Sequence, residues 1–203
     1  MAGWRTHDGM AVALPMANVD TDQLIPARFM SVPRADGYGD YLLHDVRCDA
    51  AGAPDAGFVL NRHPDASVLV AGPNFGTGSS REAAVYALVD AGFRAVFASG
   101  FGDIFASNAV NNGLLPARID EVTYRRIVAA LSDAPCAVAI DLDTRRATFG
   151  TTQAAFSLED TWQTKLINGW DDIDLTQHYA ARIAAFQTDY VQTSPWAVPK
   201  DAE

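Results

Sequence analysis

Residues 72–82, GPNFGTGSSRE, set a glycine-bearing turn between a short apolar run (68–71) and a stretch, 79–91, whose apolar residues recur at helical spacing. A second short apolar run, 94–99, follows directly. Strand, helix, strand in that order is the unit of sheets with buried parallel strands, because the crossover helix covers a sheet face. Within 79–91, Ala84, Leu88 and Ala91 fall at i, i+4 and i+7, while Val85, Ala87 and Val89 broaden the apolar surface beyond one stripe. A mostly buried helix is expected there.

The flanking segments extend the pattern. Residues 9–14 read as a short strand, and 18–26 (NVDTDQLIP) as turns, since Asp, Asn and Pro favour them over regular structure. Residues 50–57 (AAGAPDAG) read as a mobile, turn-rich loop. Downstream, 102–112 looks helical up to Gly113, 114–116 leave in extended form, and 122–131 form a further helix. Residues 137–142 and 146–149 pair as a hairpin through Asp143 and Thr144. Helices at 158–167 and 175–190 close the chain. The alternation predicts an α/β fold with a mixed β-sheet core and flanking helices. It is read as a single domain over 1–203 with a C-terminal helical extension at about 158–190.

Charge and cysteine usage narrow the function. Asp and Glu number 25 against 15 Lys and Arg, a formal charge of −10, with no basic cluster. A phosphate backbone is repelled by such a surface, which argues against nucleic-acid binding. No stretch approaches the roughly 18 apolar residues needed to span a bilayer. Residues 1–8 lack the basic start and apolar run of an export signal, so the chain is read as cytoplasmic, with no membrane partner. Cys48 and Cys136 stand far apart, neither in a Cys-x-x-Cys pair nor near a histidine at ligand spacing, and read as reduced thiols. An iron–sulfur cluster takes three or four thiolates, so this chain cannot hold one alone, and no metal ligands are assigned to it.

The turn at 72–82 carries the densest set of functional residue types. In open α/β sheets ligands collect beyond the carboxyl ends of strands, and here the turn brings Ser79, Ser80 and Arg81 to a helix start. Gly76 and Gly78 permit backbone angles or close approaches that side chains block. Unpaired N–H groups and the helix dipole favour an anion, and Arg81 adds a fork able to grip a carboxylate with two hydrogen bonds. A small carboxylate is the expected ligand. The same residues also fit a plainer role, with Ser79 or Ser80 capping the helix and Arg81 paired with Glu82 or a surface acid. Nucleotide motifs fit poorly: Ser79 stands where a Walker loop needs Lys, and Arg81 where the dinucleotide fingerprint needs a third glycine. Arg81 also replaces the second glycine of a hydrolase elbow. His7, His44, His63 and His178 are available as bases, but each is better explained as an isolated surface or core histidine.

The run GPNFGTGSSREAA resembles the signature of the mobile domain of the aconitase superfamily. In order along the chain, 18–29 (NVDTDQLIPARF), 37–47 (GYGDYLLHDVR), 58–61, 103–116 (DIFASNAVNNGLLP) and 168–176 (NGWDDIDLT) are similar to the small subunits of bacterial isopropylmalate dehydratases. The likeness runs from about residue 9 to residue 185. It implies an aconitase-like swivelling domain and a leucine-biosynthetic hydro-lyase that dehydrates a 2-alkylmalate and rehydrates it with the hydroxyl on the neighbouring carbon. It also implies a partner, a large subunit whose cysteines hold a 4Fe-4S cluster with one open iron acting as Lewis acid on the leaving hydroxyl. The substrate is then a small dicarboxylate hydroxy acid. Ser79 takes the place of the base that removes the carbon-bound proton, and Arg81 that of the residue gripping a substrate carboxylate. Ser80, Gly78 and Thr21 are expected in substrate contact. Asp22, in the acidic turn 20–22, is expected beside the cluster, orienting a catalytic group on the partner; an Asx turn satisfying its own backbone explains 20–22 as well. The segment 30–43 corresponds to the loop that selects the alkyl group, with Tyr38, Tyr41, Leu42 and Leu43 available as an apolar wall.

The likeness frays in places. Ala83 stands where the family has histidine, Thr77 where cysteine is common, and Val85-Tyr86 where Pro-Trp is usual; 158–169 lacks the basic and cysteine residues often found there. A sister dehydratase subunit acting on another 2-alkylmalate, or on a citraconate-like or dimethylmaleate-like acid, is the alternative. A catalytically silent carboxylate-binding or assembly domain is a second. A helix terminus supplies at most about 2 kcal/mol, well short of making a serine alkoxide near neutral pH. Arg81, nearby N–H donors and the cluster must supply the rest, so the isolated chain is expected to be inactive.

Overall fold

Strands β1 (Thr6–Leu14), β2 (Val68–Ala71), β3 (Ala95–Ala98), β4 (Leu115–Arg118), β5 (Cys136–Asp141), β6 (Arg146–Phe149) and β7 (Thr152–Ala155) form one sheet in the order β4-β3-β2-β1-β5-β6-β7. The computed structural model describes residues 2–131 and 134–197; the rest of the expected 1–203 span (1, 132, 133 and 198–203) lies outside the described residues. Strands β1 to β4 run parallel, whereas β5, β6 and β7 join antiparallel on the far side of β1. The helices are α1 (Thr21–Leu24), α2 (His44–Arg47), α3 (Val59–Arg62), α4 (Glu82–Asp90), α5 (Asp103–Asn111), α6 (Glu121–Ala130), α7 (Asp160–Asn168), α8 (Asp172–His178) and α9 (Ala180–Thr193).

The two halves of the sheet differ as their sequences do. VLVA of β2 and AVFA of β3 are buried throughout, because both faces of the parallel half are covered. Alternate residues feed two cores. Leu69, Ala71, Val96 and Ala98 face Leu24, Ala84, Leu88, Phe75 and Phe105; Val68, Val70, Ala95 and Phe97 face Tyr124, Ile127, Phe149 and Phe156 on the other side. In the antiparallel half burial alternates: Val138 and Ile140 point inward between exposed neighbours. Pro116, which has no N–H to give a ladder, sits on the edge strand β4.

The expected hairpin forms, with Val138 opposite Phe149 and Asp141 opposite Arg146. Several expected boundaries are corrected. Helix α4 begins at Glu82, so Ser79 and Ser80 lie in the turn before it and Arg81 is its N-cap, in extended conformation. Residues 21–24 are helical, with Asp20 as the extended N-cap of a capping box in which Gln23 N–H donates to Asp20 at 2.7 Å and Asp20 N–H donates to the Gln23 side chain at 3.0 Å. The stretch 175–190 divides at Tyr179 into α8 and α9. In 30–43, Tyr38, Leu42 and Leu43 are buried in the first core and so are packing residues, whereas Tyr41 stacks on Phe29 at 4.3 Å between centroids and lines an open cavity of about 480 Å³.

Candidate active site

Two strand ends build the site. After β2 the chain loops through 72–81, and after β3 through 99–102 into α5. The loops are tied to each other and to the segment after β1: Asn18 N–H donates to Pro73 O at 2.8 Å, Gly76 N–H to Val19 O at 2.7 Å, Phe75 N–H to Gly100 O at 3.0 Å and Gly102 N–H to Phe75 O at 2.9 Å. Gly76 is required by this crossing, since a Cβ there would lie 2.2 Å from the Phe105 ring and its φ is +72°. Gly78 is held at φ +96°, a backbone angle that favours glycine, and a Cβ there would only touch Asp20 and Thr21 at 3.5 Å or more. Between 76–79 and Gly102–Phe105 lies a cleft of about 280 Å³.

Ser79 stands on the rim of this cleft, exposed, with its hydroxyl bonded to no described residue. Ser80 and Gly78 are exposed beside it. The backbone of Ser79 is held from behind: Thr21 Oγ1 donates to Ser79 O at 3.0 Å and Arg81 N–H donates to the same oxygen at 2.7 Å. Thr21 N–H donates to Thr77 O at 3.0 Å. Thr21 is only 1% exposed, so the expected substrate contact is corrected to a supporting one: its hydroxyl faces the serine's backbone.

Arg81 Nη1 donates to Asp22 Oδ1, an ion pair across which the guanidinium is half-buried and the carboxylate largely exposed. Two residues picked separately from the sequence thus meet at one place. The plainer role is realised only in part. Arg81 pairs with an acid, but with Asp22; Glu82 instead accepts from Asn112 Nδ2 at 2.8 Å. No side chain caps α4, so neither serine serves as its cap; Ala84 N–H donates back to Arg81 O at 3.2 Å, which leaves the Glu82 and Ala83 N–H groups for an anion. The contact to Asp22 uses one guanidinium nitrogen, and the others have no described acceptor.

The start of α5, Gly102 to Phe105, forms the opposite wall and was not singled out as part of the site from sequence. Its signal was present: an apolar run, then Gly102-Asp103, then a helical stretch, the arrangement of 68–82 repeated one strand further on. A larger cavity of about 460 Å³, between Phe101, Arg118, Leu158 and Trp162, shares Asp103 with the cleft but none of Ser79, Arg81 and Asp22. The four histidines lie elsewhere: His7 with Ser67, His44 with Asp45, His178 with Trp170, and His63 at the end of α3. Ala83, which stands where the family usually has histidine, is half-buried in the first turn of α4.

Among the described residues no three His, Cys, Asp or Glu side chains gather as metal ligands. Cys48 and Cys136 are unpaired, on separate elements, and burial pushes the Cys136 thiol up, away from thiolate. These residues do not fit a resident iron–sulfur cluster. No described helix is long and apolar enough to cross a membrane.

Residues 1–122 match the family model of the aconitase C-terminal domain. The chain is 41% identical over 194 residues to the 3-isopropylmalate dehydratase small subunit of Shewanella oneidensis, covering 93% of this chain and 96% of that one. It is 39% identical over 186 residues to the corresponding subunit of Shouchella clausii, covering 90% and 94%. The fold matches the crystal structure of 3-isopropylmalate dehydratase from Methanocaldococcus jannaschii with a TM-score of 0.63 at 26% identity, over 91% of this chain and 98% of that one.

Proposed function

This chain belongs to the aconitase family, among the 3-isopropylmalate dehydratase small subunits, and from that membership we propose that Ser79 removes a carbon-bound proton while Arg81 grips a substrate carboxylate. The activity is that of a hydro-lyase of leucine biosynthesis, interconverting 2- and 3-isopropylmalate by dehydration and rehydration, in which the small subunit works with a larger one. The observation that carries the site reading is the exposed, unpaired Ser79 hydroxyl on a cleft built by two strand ends, with Arg81, two residues on, holding Asp22 by one guanidinium nitrogen.

Ionised to the alkoxide once the partner closes over it, Ser79 Oγ takes the proton from the carbon next to the one bearing the hydroxyl and becomes a neutral hydroxyl; the electron pair left behind forms the double bond as hydroxide departs. Rehydration runs the same events backward, with the hydroxyl delivered to the neighbouring carbon and the proton returned by Ser79. Arg81 orients the acid by a forked contact, for which the incoming carboxylate uses the nitrogens that Asp22 leaves free. Asp22 fixes the guanidinium and, by its exposure, also faces a covering partner. Ser80, Gly78 and the open first turn of α4 add donors for the same anion. We place the 4Fe-4S cluster on the large subunit, where, when bound, it supplies Lewis-acid assistance to the leaving hydroxyl.

The test is anaerobic co-production with the large subunit and absorbance assay on isopropylmalate and shorter 2-alkylmalates. Ser79→Ala is expected to lose turnover by at least about a hundredfold while still assembling. Arg81→Lys is expected chiefly to raise KM, because an ammonium cannot make the forked contact. Normal turnover by both variants would overturn the assignment.

A further inference from the structure

Helix α9 has no buried residue. Tyr179, Ile183, Phe186 and Tyr190 are all exposed, Phe186 to 68%, and their spacing of four, three and four is that of a coiled-coil seam. Ahead of α9, α8 is tied to the C-terminal end of α5, where Asp172 accepts from Asn111 Nδ2 at 3.1 Å and from Lys165 Nζ at 2.7 Å. The Ser79 cleft lies at the other end of α5, at its first turn. The apolar seam is therefore rooted away from the face that a substrate-covering subunit must close.

With Ile183 and Tyr190 in one seam position and Tyr179 and Phe186 in the other, Arg182 and Asp189 occupy the same flanking position one heptad apart. Neither makes an ion pair among the described residues; Arg182 only lies over the Tyr179 ring, 5.4 Å from its centroid. In an antiparallel pair of helices equal flanking positions face each other across the seam, so Arg182 of one copy meets Asp189 of another, twice. In the same arrangement Tyr179 stands opposite Tyr190 of the second copy and Ile183 opposite Phe186, which uses every seam residue and closes on a two-fold axis. Run parallel, Arg182 and Asp189 would instead face Gln187 and Ser194, with no charge pairing. We propose that α9 pairs antiparallel with α9 of a second copy of this chain, joining two small subunits.

Sedimentation velocity of the full chain, alone and with its large subunit, tests this. The chain alone is expected to dimerise, and Phe186→Glu to sediment as a monomer with an unchanged thermal melt, since α9 buries nothing within its own chain. Arg182→Asp and Asp189→Arg are each expected to weaken the dimer about tenfold, from two exposed pairs turned repulsive. The double reversal, Arg182→Asp with Asp189→Arg, is expected to restore it, a rescue peculiar to this pairing. A monomeric wild type, a Phe186→Glu dimer, or failure of the rescue would overturn the proposal. So would release of the large subunit by Phe186→Glu from a wild type that is monomeric alone, which assigns the seam to that subunit. Turnover of the Phe186→Glu complex is expected to match wild type, so failure here is separable from failure of the Ser79 assignment.

Discussion

Thr21 shows how one side chain can govern a site without facing it. Its hydroxyl and its N–H reach Ser79 O and Thr77 O, each at 3.0 Å, from a position sealed off from solvent. Thr21→Val keeps the shape and removes the donor, at a cost of about 1 kcal/mol to the fold. It is expected to lower kcat about tenfold with KM little changed, since small displacements of a reacting group are costly, and Thr21→Ser is expected to recover most of the loss. Steady-state kinetics of the complex decide the matter; unchanged kcat in Thr21→Val would remove the positioning role. The turn 72–82 was legible because glycines and a helix start are local signals. The Thr21–Ser79 and Asp22–Arg81 contacts were not, because they join residues 58 and 59 positions apart that only the fold brings together.

Strands and long helices were read from periodicity alone, and the errors fall where local and tertiary signals disagree. Residues 79–81 have helical spacing nearby, but Gly78 at φ +96° and the extended Arg81 delay the helix to Glu82. The capping pair Asp20 and Gln23 was in plain view in DTDQ, hidden by turn-favouring neighbours. Strand β7, TQAA, has weak strand propensity and forms because β6 offers it an edge. The junction of α5, α7 and α8 turns on Lys165, 2% exposed, whose ammonium donates to Asn111 and Asp172. The Lys165 hydrogen bond, then that of Asn111, holds the Asp172 carboxyl below its usual range. Asp172→Ala leaves the ammonium buried without a counter-charge and is expected to cost about 2 kcal/mol, reduced from a fully buried pair because Asp172 is largely exposed. Lys165→Met strands no charge and is expected to cost less. Thermal melts rank the two; the reverse order would refute this account of the junction.

The alternation of strands and helices foretold a mixed sheet, yet its order was beyond sequence reasoning: β1 lies at the centre, and its neighbours β2 and β5 come from distant parts of the chain. His7 marks that centre, its Nε2 at 2.8 Å from Ser67 Oγ. Burial first, then the Arg94 charge, hold its pKa below the ordinary imidazole value, with Asp8 opposing. The unfolded chain therefore takes up its proton at a higher pH than the folded one. The stability contributed is complete above about pH 6.5 and is lost as pH falls from there through the folded value. Urea midpoints are expected to drop across that window, and His7→Gln to flatten the dependence; an equal slope in His7→Gln would contradict it. The cross-stitching of the 72–79 loop to residues 18–21 and 100–102 has a last consequence. If Ser79 is the base proposed above, a serine mounted on so braced a rim has no private hinge, so it would advance on or retreat from the substrate only as the entire body turns against its partner. Catalytic timing in such a machine belongs to the joint between subunits, and a mutation far from the cleft that stiffens or loosens that joint would alter turnover while leaving every atom around Ser79 in place.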